Sequence, residues 1–159
     1  AKLLEKAGVA GVDVGGLGGT SFSSVGSYRE GVDRLLAERF WDWGVPTAIS
    51  TIEVVENTGL TVISTGGVRS GVDVAKALAL GASAGGMALP LLGAAMKSPD
   101  AVIKVLNRVI EELKIAMFLM GAGSVSELRQ CDLVITGRTR EWLKARDIDY
   151  KKYANRKDL

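Results

Sequence analysis

"LTVISTGGVRSGVDVAKALALGA", residues 60–82, decides the fold. The apolar run 60–65 has the length and β-branched content of a buried strand, and the glycines at 66 and 67 end it. From about Gly71 to Leu80 the apolar residues Val72, Ala75, Leu78 and Ala79 recur at helical spacing, with Gly81 as the stop. "ASAGGMALPLLGAA", residues 82–95, reads as a further strand followed by another glycine pair. Strand, helix and strand with no room for a hairpin return make a parallel crossover.

Outward from this unit the pattern continues. Val9 to Val14 is a short buried-strand run ended by glycines. Before it, "AKLLEKAGV" reads as the last turns of a helix, so a completing segment upstream is expected. Residues 26–40 read as a loop leading into a helix, and Thr47 or Ser50 caps a helical piece that ends at Gly59. Ser98-Pro99 opens the longest helix, which runs to about Met120. Its inward stripe is Val102, Leu106, Val109, Leu113, Ala116 and Met120. Ile103, Ile110, Met117 and Phe118 widen the stripe, so this helix is expected to be covered on more than one side. Ser124 and Glu127 stand at capping-box spacing, 131–137 is a small strand or an extended segment, and the remainder is helical around Trp142 and Leu143. Three glycine-terminated strands that each feed helical sequence define an α/β fold, part of a barrel or of an open parallel sheet.

Composition bounds the function. At 159 residues, 47% hydrophobic and 24% charged, the chain fits one globular domain. The tail from Arg138 to Leu159 holds eight basic and four acidic residues, while the rest sums to −2. Without aromatic interleaving that tail reads as a solvated helix or a subunit contact, so no nucleic-acid partner is expected. No apolar run approaches a membrane span, and no membrane partner is expected. The single cysteine, Cys131, excludes an intrachain disulfide and is compatible with a reducing compartment. The absence of His removes a His-based triad, the commonest general base and a zinc site of the usual kind.

Chemistry concentrates in three loops, GGLGGTS at 15–21, GGVRSG at 66–71 and AGGM at 84–87. The first lacks both the GxGxxG spacing of a dinucleotide site and the lysine of a P-loop. In a parallel α/β fold the three loops lie side by side at the strand ends, where Gly66, Gly67, Gly85 and Gly86 can present bare N–H groups to a phosphate. The helix beginning near Gly71 adds its dipole. Arg69 pairs with the phosphate or with Asp73. Thr20 and Ser21 can donate hydroxyl hydrogen bonds. Asp13, a carboxylate in an apolar strand, either orients a ligand or accepts local N–H groups; Asp42, Glu53 and Lys76 are given no role.

The segments VDVGGLGGTSF, FWDWGVPT, ISTGGVRSGVDVAKALALGAS and GSVSELRQCDLVITG, in this order, resemble the FMN-dependent type 2 isopentenyl-diphosphate isomerases over nearly the whole chain. The resemblance implies the C-terminal portion of a (β/α)8 TIM barrel, strands six to eight with their helices, so that residues 1–159 form a partial FMN-binding domain. It implies interconversion of isopentenyl and dimethylallyl diphosphate in the cytoplasm by a homo-oligomer. Reduced FMN carries the proton transfer, with Mg²⁺ on the diphosphate and NADPH or NADH as reductant. Thr20 and Ser21 match the flavin-contacting GGTS segment, Gly66, Gly67 and Arg69 the phosphate loop, and Gly85 and Gly86 the loop that closes over the same phosphate. No catalytic side chain and no metal ligand is assigned to this chain. Phe22 stands where family members often have Trp, and Gly26 where they have an acidic residue. A 2-hydroxy-acid oxidase on the same barrel is the alternative enzyme, though its chemistry calls for a His base; a phosphate-binding module without activity is the other alternative.

Overall fold

The computed structural model describes residues 1–19 and 21–156. Its first half runs α1 (Lys2–Lys6), β1 (Gly11–Asp13), α2 (Phe22–Ser27), α3 (Arg34–Arg39), α4 (Thr47–Asn57) and β2 (Thr61–Ser64). The second half runs α5 (Gly71–Ala79), β3 (Ala84–Gly85), α6 (Leu89–Ala95), α7 (Pro99–Leu119), α8 (Val125–Leu128) and α9 (Gly137–Ala145), then a 3-10 turn at Lys151–Tyr153. The strands form one parallel sheet in the order β1-β2-β3, with Val12 beside Val62 and Ile63 beside Ala84. The crossover read from residues 60–82 is therefore present, and the fold is α/β with a partial, open parallel sheet.

Local chemistry sets the element ends. The Ser70 hydroxyl accepts from the Asp73 amide at 3.1 Å and opens α5. At its far end Gly81 donates to Leu78 and Ala82 to Ala77, a paired closure that satisfies two terminal carbonyls. Ser98 caps α7 through the Ala101 amide at 3.2 Å. The expected cap by Thr47 or Ser50 is not made: α4 starts directly after Pro46, which has no side-chain acceptor, and the Thr47 hydroxyl donates to the Gly66 carbonyl at 2.5 Å.

Two expectations are corrected and two others sharpened. The 82–95 run is not one strand: β3 is two residues long and α6 follows, with Pro90 in its first turn where no amide is needed. Residues 28–33 form the expected loop into a helix, α3, which Asp33 caps by accepting from the Leu35 and Leu36 amides, and α2 is an additional short helix ahead of it. These helices are too short for periodicity to register. Of the two readings of 131–137, the extended segment holds up to Thr136, its Leu133 amide bonded to the Tyr153 carbonyl at 2.6 Å. Finally, α7 has no buried residue: α5 and α6 lie against one side only, Leu106 and Met120 of the expected stripe are exposed, and Phe118 is 83% exposed. Val72 on α5 is likewise exposed.

The core lies among the helices on one side of the sheet. Ile52, Leu80, Ile135, Leu143 and Tyr153 form one cluster, and Ala75, Leu78, Ala122, Leu128 and Cys131 another. Full burial of a side chain such as Ile52 or Leu143 stabilises by about 1.5–3 kcal/mol. Within β2, Val62 and Ser64 point into this layer, where Ser64 and Thr51 share a hydroxyl–hydroxyl bond of 2.8 Å. Thr61 and Ile63 face the other way and are exposed. Parallel sheets are ordinarily covered on both faces; here the described helices cover one. Among the described residues no helix is long and apolar enough to cross a membrane.

Candidate functional site at the strand ends

The three strands release their loops at the same end of the sheet, around a cavity of about 390 Å³. The 15–19 and 66–67 loops are packed directly on one another. Gly16 donates to the Thr65 carbonyl at 3.0 Å, and Leu17 is held by Val45 and Thr47 through backbone bonds of 2.8 and 3.3 Å. Gly66 and Gly67 have φ of 95° and 83°, in the left-handed region that favours glycine. A Cβ on Gly66 would lie 1.9 Å from the Gly16 carbonyl oxygen, and one on Gly67 only 1.5 Å from that of Gly18. These two glycines are therefore required by the contact between loops as well as by any ligand.

On the cavity side the backbone has hydrogen-bonding capacity left over. Gly66, Gly67, Val68, Arg69, Gly86, Met87 and Ala88 line it. Among the described residues no acceptor is directed at the amides of Gly67, Val68, Met87 or Ala88. Buried or half-buried amides without partners are unfavourable in isolation. Two loops converging on one space with such amides fit an oxyanion. Arg69 adds positive charge; its guanidinium lies over Gly19, where a Cβ would come within 2.0 Å of Nη2. It makes no ion pair with a described carboxylate.

The helix dipole expected near Gly71 is already used. The Gly71 amide donates to Glu112 at 2.7 Å, and the Arg69 amide and the Ser70 hydroxyl both donate to Asp73, at 3.1 and 2.8 Å. Two carboxylates thus occupy the positive end of α5 and offset its field. Asp73 takes the Arg69 backbone rather than its guanidinium.

The sequence-derived residues separate in space. Gly66, Gly67, Arg69 and Gly86 line the cavity. Gly85 sits one step back inside β3, against Val74. Ser21 lies in a neighbouring cleft with Trp43 and Val45, accepts from the Ser24 amide as the cap of α2, and donates to the Trp41 carbonyl at 2.6 Å. Thr20 lies outside the described residues. The structure adds Thr65, whose hydroxyl donates to Asp13, and the start of α6 at Leu89 and Pro90. Sequence reading does not single out Thr65; the signal that could have found it is the period-two alternation from Thr61 through Ile63, which puts all three on one face. Among the described residues no group of three or more metal-ligating side chains converges, and no residue here is assigned to magnesium.

A family model described as FMN-dependent dehydrogenase matches residues 1–135. The chain is 51% identical over 153 residues to an isopentenyl-diphosphate delta-isomerase of Methanothermobacter thermautotrophicus, covering 96% of this chain and 44% of that protein. It is 54% identical over 159 residues to the enzyme of that name in Thermococcus kodakarensis, covering 98% of this chain and 42% of that protein. The chain thus spans about two fifths of the length of these curated relatives. Among solved structures, a mandelate oxidase with 3,3-difluoro-2-hydroxy-3-phenylpropionic acid superposes with TM-score 0.64 at 30% identity, covering 86% of this chain and 36% of that one. An L230A mutant flavocytochrome b2 with benzoylformate gives TM-score 0.59 at 26% identity, covering 80% and 30%.

Proposed function

Because this chain belongs to the FMN-dependent dehydrogenase family, we propose that it supplies strands six to eight of a (β/α)8 barrel and the phosphate end of its flavin site. The enzyme is a type 2 isopentenyl-diphosphate isomerase that interconverts isopentenyl and dimethylallyl diphosphate in the cytoplasm, as a homo-oligomer. One observation carries this reading: in a chain 54% identical to a named isomerase, amides from two strand-end loops, without partners among the described residues, meet on one cavity.

Gly67, Val68, Met87 and Ala88 hold the FMN phosphate through their amides, and Arg69 neutralises it. Gly66, Gly85 and Gly86 keep the loops close enough for those amides to converge. Thr20 and Ser21 belong to the flavin-contacting segment, with Ser21 also fixing that segment by capping α2. Reduced FMN, when bound, supplies the acid–base chemistry for which this chain, without His, has no usual side chain. These 159 residues span about two fifths of the length of the relatives they match, and alone they are expected to provide half a flavin site and little turnover.

The test is the absorbance spectrum of the purified full-length protein, followed by an assay with isopentenyl diphosphate under reducing conditions. A flavin spectrum with isomerisation is expected. A colourless protein, or full turnover by the 159-residue chain alone, overturns the reading. The likeness to mandelate oxidase favours a 2-hydroxy-acid oxidase as the second reading; oxidation of such an acid without isomerisation would select it.

A further inference from the structure

α7 supports both loops that supply the unpartnered amides. α5 follows the 66–70 loop, α6 follows Met87 and Ala88, and both helices lie against α7. At the start of α5 the approach is backbone to backbone. A Cβ on Gly71 would lie 2.2 Å from the Val109 carbonyl oxygen and 2.4 Å from the Leu113 amide nitrogen. At this crossing the Glu112 Oε2 atom accepts the Gly71 amide at 2.7 Å.

The other donors of the junction are satisfied locally. Asp73 takes the Arg69 amide and the Ser70 hydroxyl, and Ser70 takes the Asp73 amide. Of these donors only Gly71 reaches a different element. At the far end of the loop the Thr47 hydroxyl, on α4, donates to the Gly66 carbonyl. Side chains from two other helices thus pin the loop at both ends, and Gly67, Val68 and Arg69 line the cavity between the pins. The Thr47 bond joins neutral groups, whereas the Glu112 bond has a carboxylate acceptor and is the stronger kind. Glu112 itself does not line that cavity, and its negative charge cannot attract a phosphate. What it contributes is placement.

We infer that Glu112 is a positioning residue for the phosphate loop: by holding Gly71 on α7 it sets the spacing between the Gly67–Val68 amides and the Met87–Ala88 amides. The inference rests on the flavin reading above. It adds a residue outside the cavity through which a distant helix governs phosphate recognition.

The experiment titrates FMN and riboflavin, which differ only by the phosphate, into the flavin-free full-length protein, with melting temperatures measured in parallel. The wild type is expected to prefer FMN. Glu112→Met removes the acceptor and keeps the side-chain length in the groove that Glu112 lines with Val72 and Leu119. It is expected to weaken FMN about 10-fold while leaving riboflavin within about twofold. Glu112→Asp keeps the charge but is one methylene too short for the bond; it is expected to show the same loss, and it serves where the Met variant does not fold. Glu112→Gln keeps an acceptor and is expected to restore FMN to within about threefold of wild type. An FMN-to-riboflavin preference unchanged in the Met or Asp variant, even with a lowered melting temperature, shows that Glu112 only braces the helix pair and overturns the inference. A Gln variant as weak as the Met variant overturns it too, since the bond would not be the cause. A wild type that binds both flavins equally overturns the phosphate assignment instead, and one that binds neither overturns the flavin reading itself.

Discussion

The two ends of the sheet treat their polar groups in opposite ways. At the ends where the strands finish, loop amides and one carboxylate oxygen face a cavity without partners among the described residues. At the opposite end the polar groups are engaged. Arg156 donates to the carbonyls of Ala79, Arg129 and Cys131 and lies 4.7 Å over the Tyr153 ring. Tyr153, only 2% exposed, donates to Glu56 at 2.5 Å, and Glu56 also takes Lys152. Glu53 accepts from Trp142 and Arg146 at 2.9 and 3.1 Å. Arg129 Nε is the exception there, buried without a partner among the described residues. The contrast separates two roles: one end closes its hydrogen bonds internally and stabilises the fold, and the other leaves them for a ligand.

The sharpest way to break this comparison is Gly67→Ala. Its Cβ would strike the Gly18 carbonyl in a left-handed backbone conformation, so the variant is expected to lose about 3–5 kcal/mol and its flavin binding together. Denaturant unfolding and FMN titration check it; retained binding would mean that the loops do not depend on each other. Arg156→Ala acts at the other end. Loss of three charge-assisted bonds and the ring contact is expected to cost about 2–4 kcal/mol while leaving FMN affinity of the folded protein unchanged.

Tyr153→Phe is expected to cost about 1–2 kcal/mol near neutral pH, and it carries a pH signature. Burial first, then the hydrogen bond to Glu56 and its charge, hold the Tyr153 phenol above its ordinary range, while Arg156 opposes the rise. A raised folded-state value favours the protonated form, so this contribution is complete below the ordinary value of 10.0 and declines as pH rises beyond it. Unfolding measured from pH 8 to 11.5, as an approximate window, should show a steeper alkaline loss in the wild type than in the variant.

The smallest effect belongs to Glu127. Bonds from the Gly123 amide and the Ser124 hydroxyl hold this exposed carboxyl below the ordinary 4.5. Its contribution is present above that value and disappears as pH falls through the lowered one. Glu127→Gln should therefore lower the melting temperature slightly at neutral pH and leave it unchanged in strong acid. A difference that persists in acid would show that the carboxylate charge is not the cause.

Legibility differed along the chain for physical reasons. Residues 60–82 were readable because a β-branched run, a glycine turn and a serine cap all act within one crossover. The Ser124–Glu127 cap and the opening of α7 at Ser98-Pro99 were readable for the same reason. α6 was hidden in an apolar run whose only cue was Pro90, and α3 depended on a single aspartate cap. Thr65 was missed because its importance comes from Asp13, fifty-two positions away. The role of Ser21 as a helix cap likewise depends on a turn that glycine-rich sequence leaves undetermined.

By itself the sequence determined the alternation of strand and helix, the glycine punctuation and the lack of a usual general base, because each of these is set by local backbone and side-chain chemistry. Only the tertiary structure decided how the loops share the work. Residues 15–19 lock onto Gly66 and Gly67, Asp73 and Glu112 occupy the α5 terminus, and Asp13 meets Thr65 across neighbouring strands. Parallel pairing brings together residues far apart in sequence, and which donors remain unpaired can be known only after every nearby acceptor has been placed.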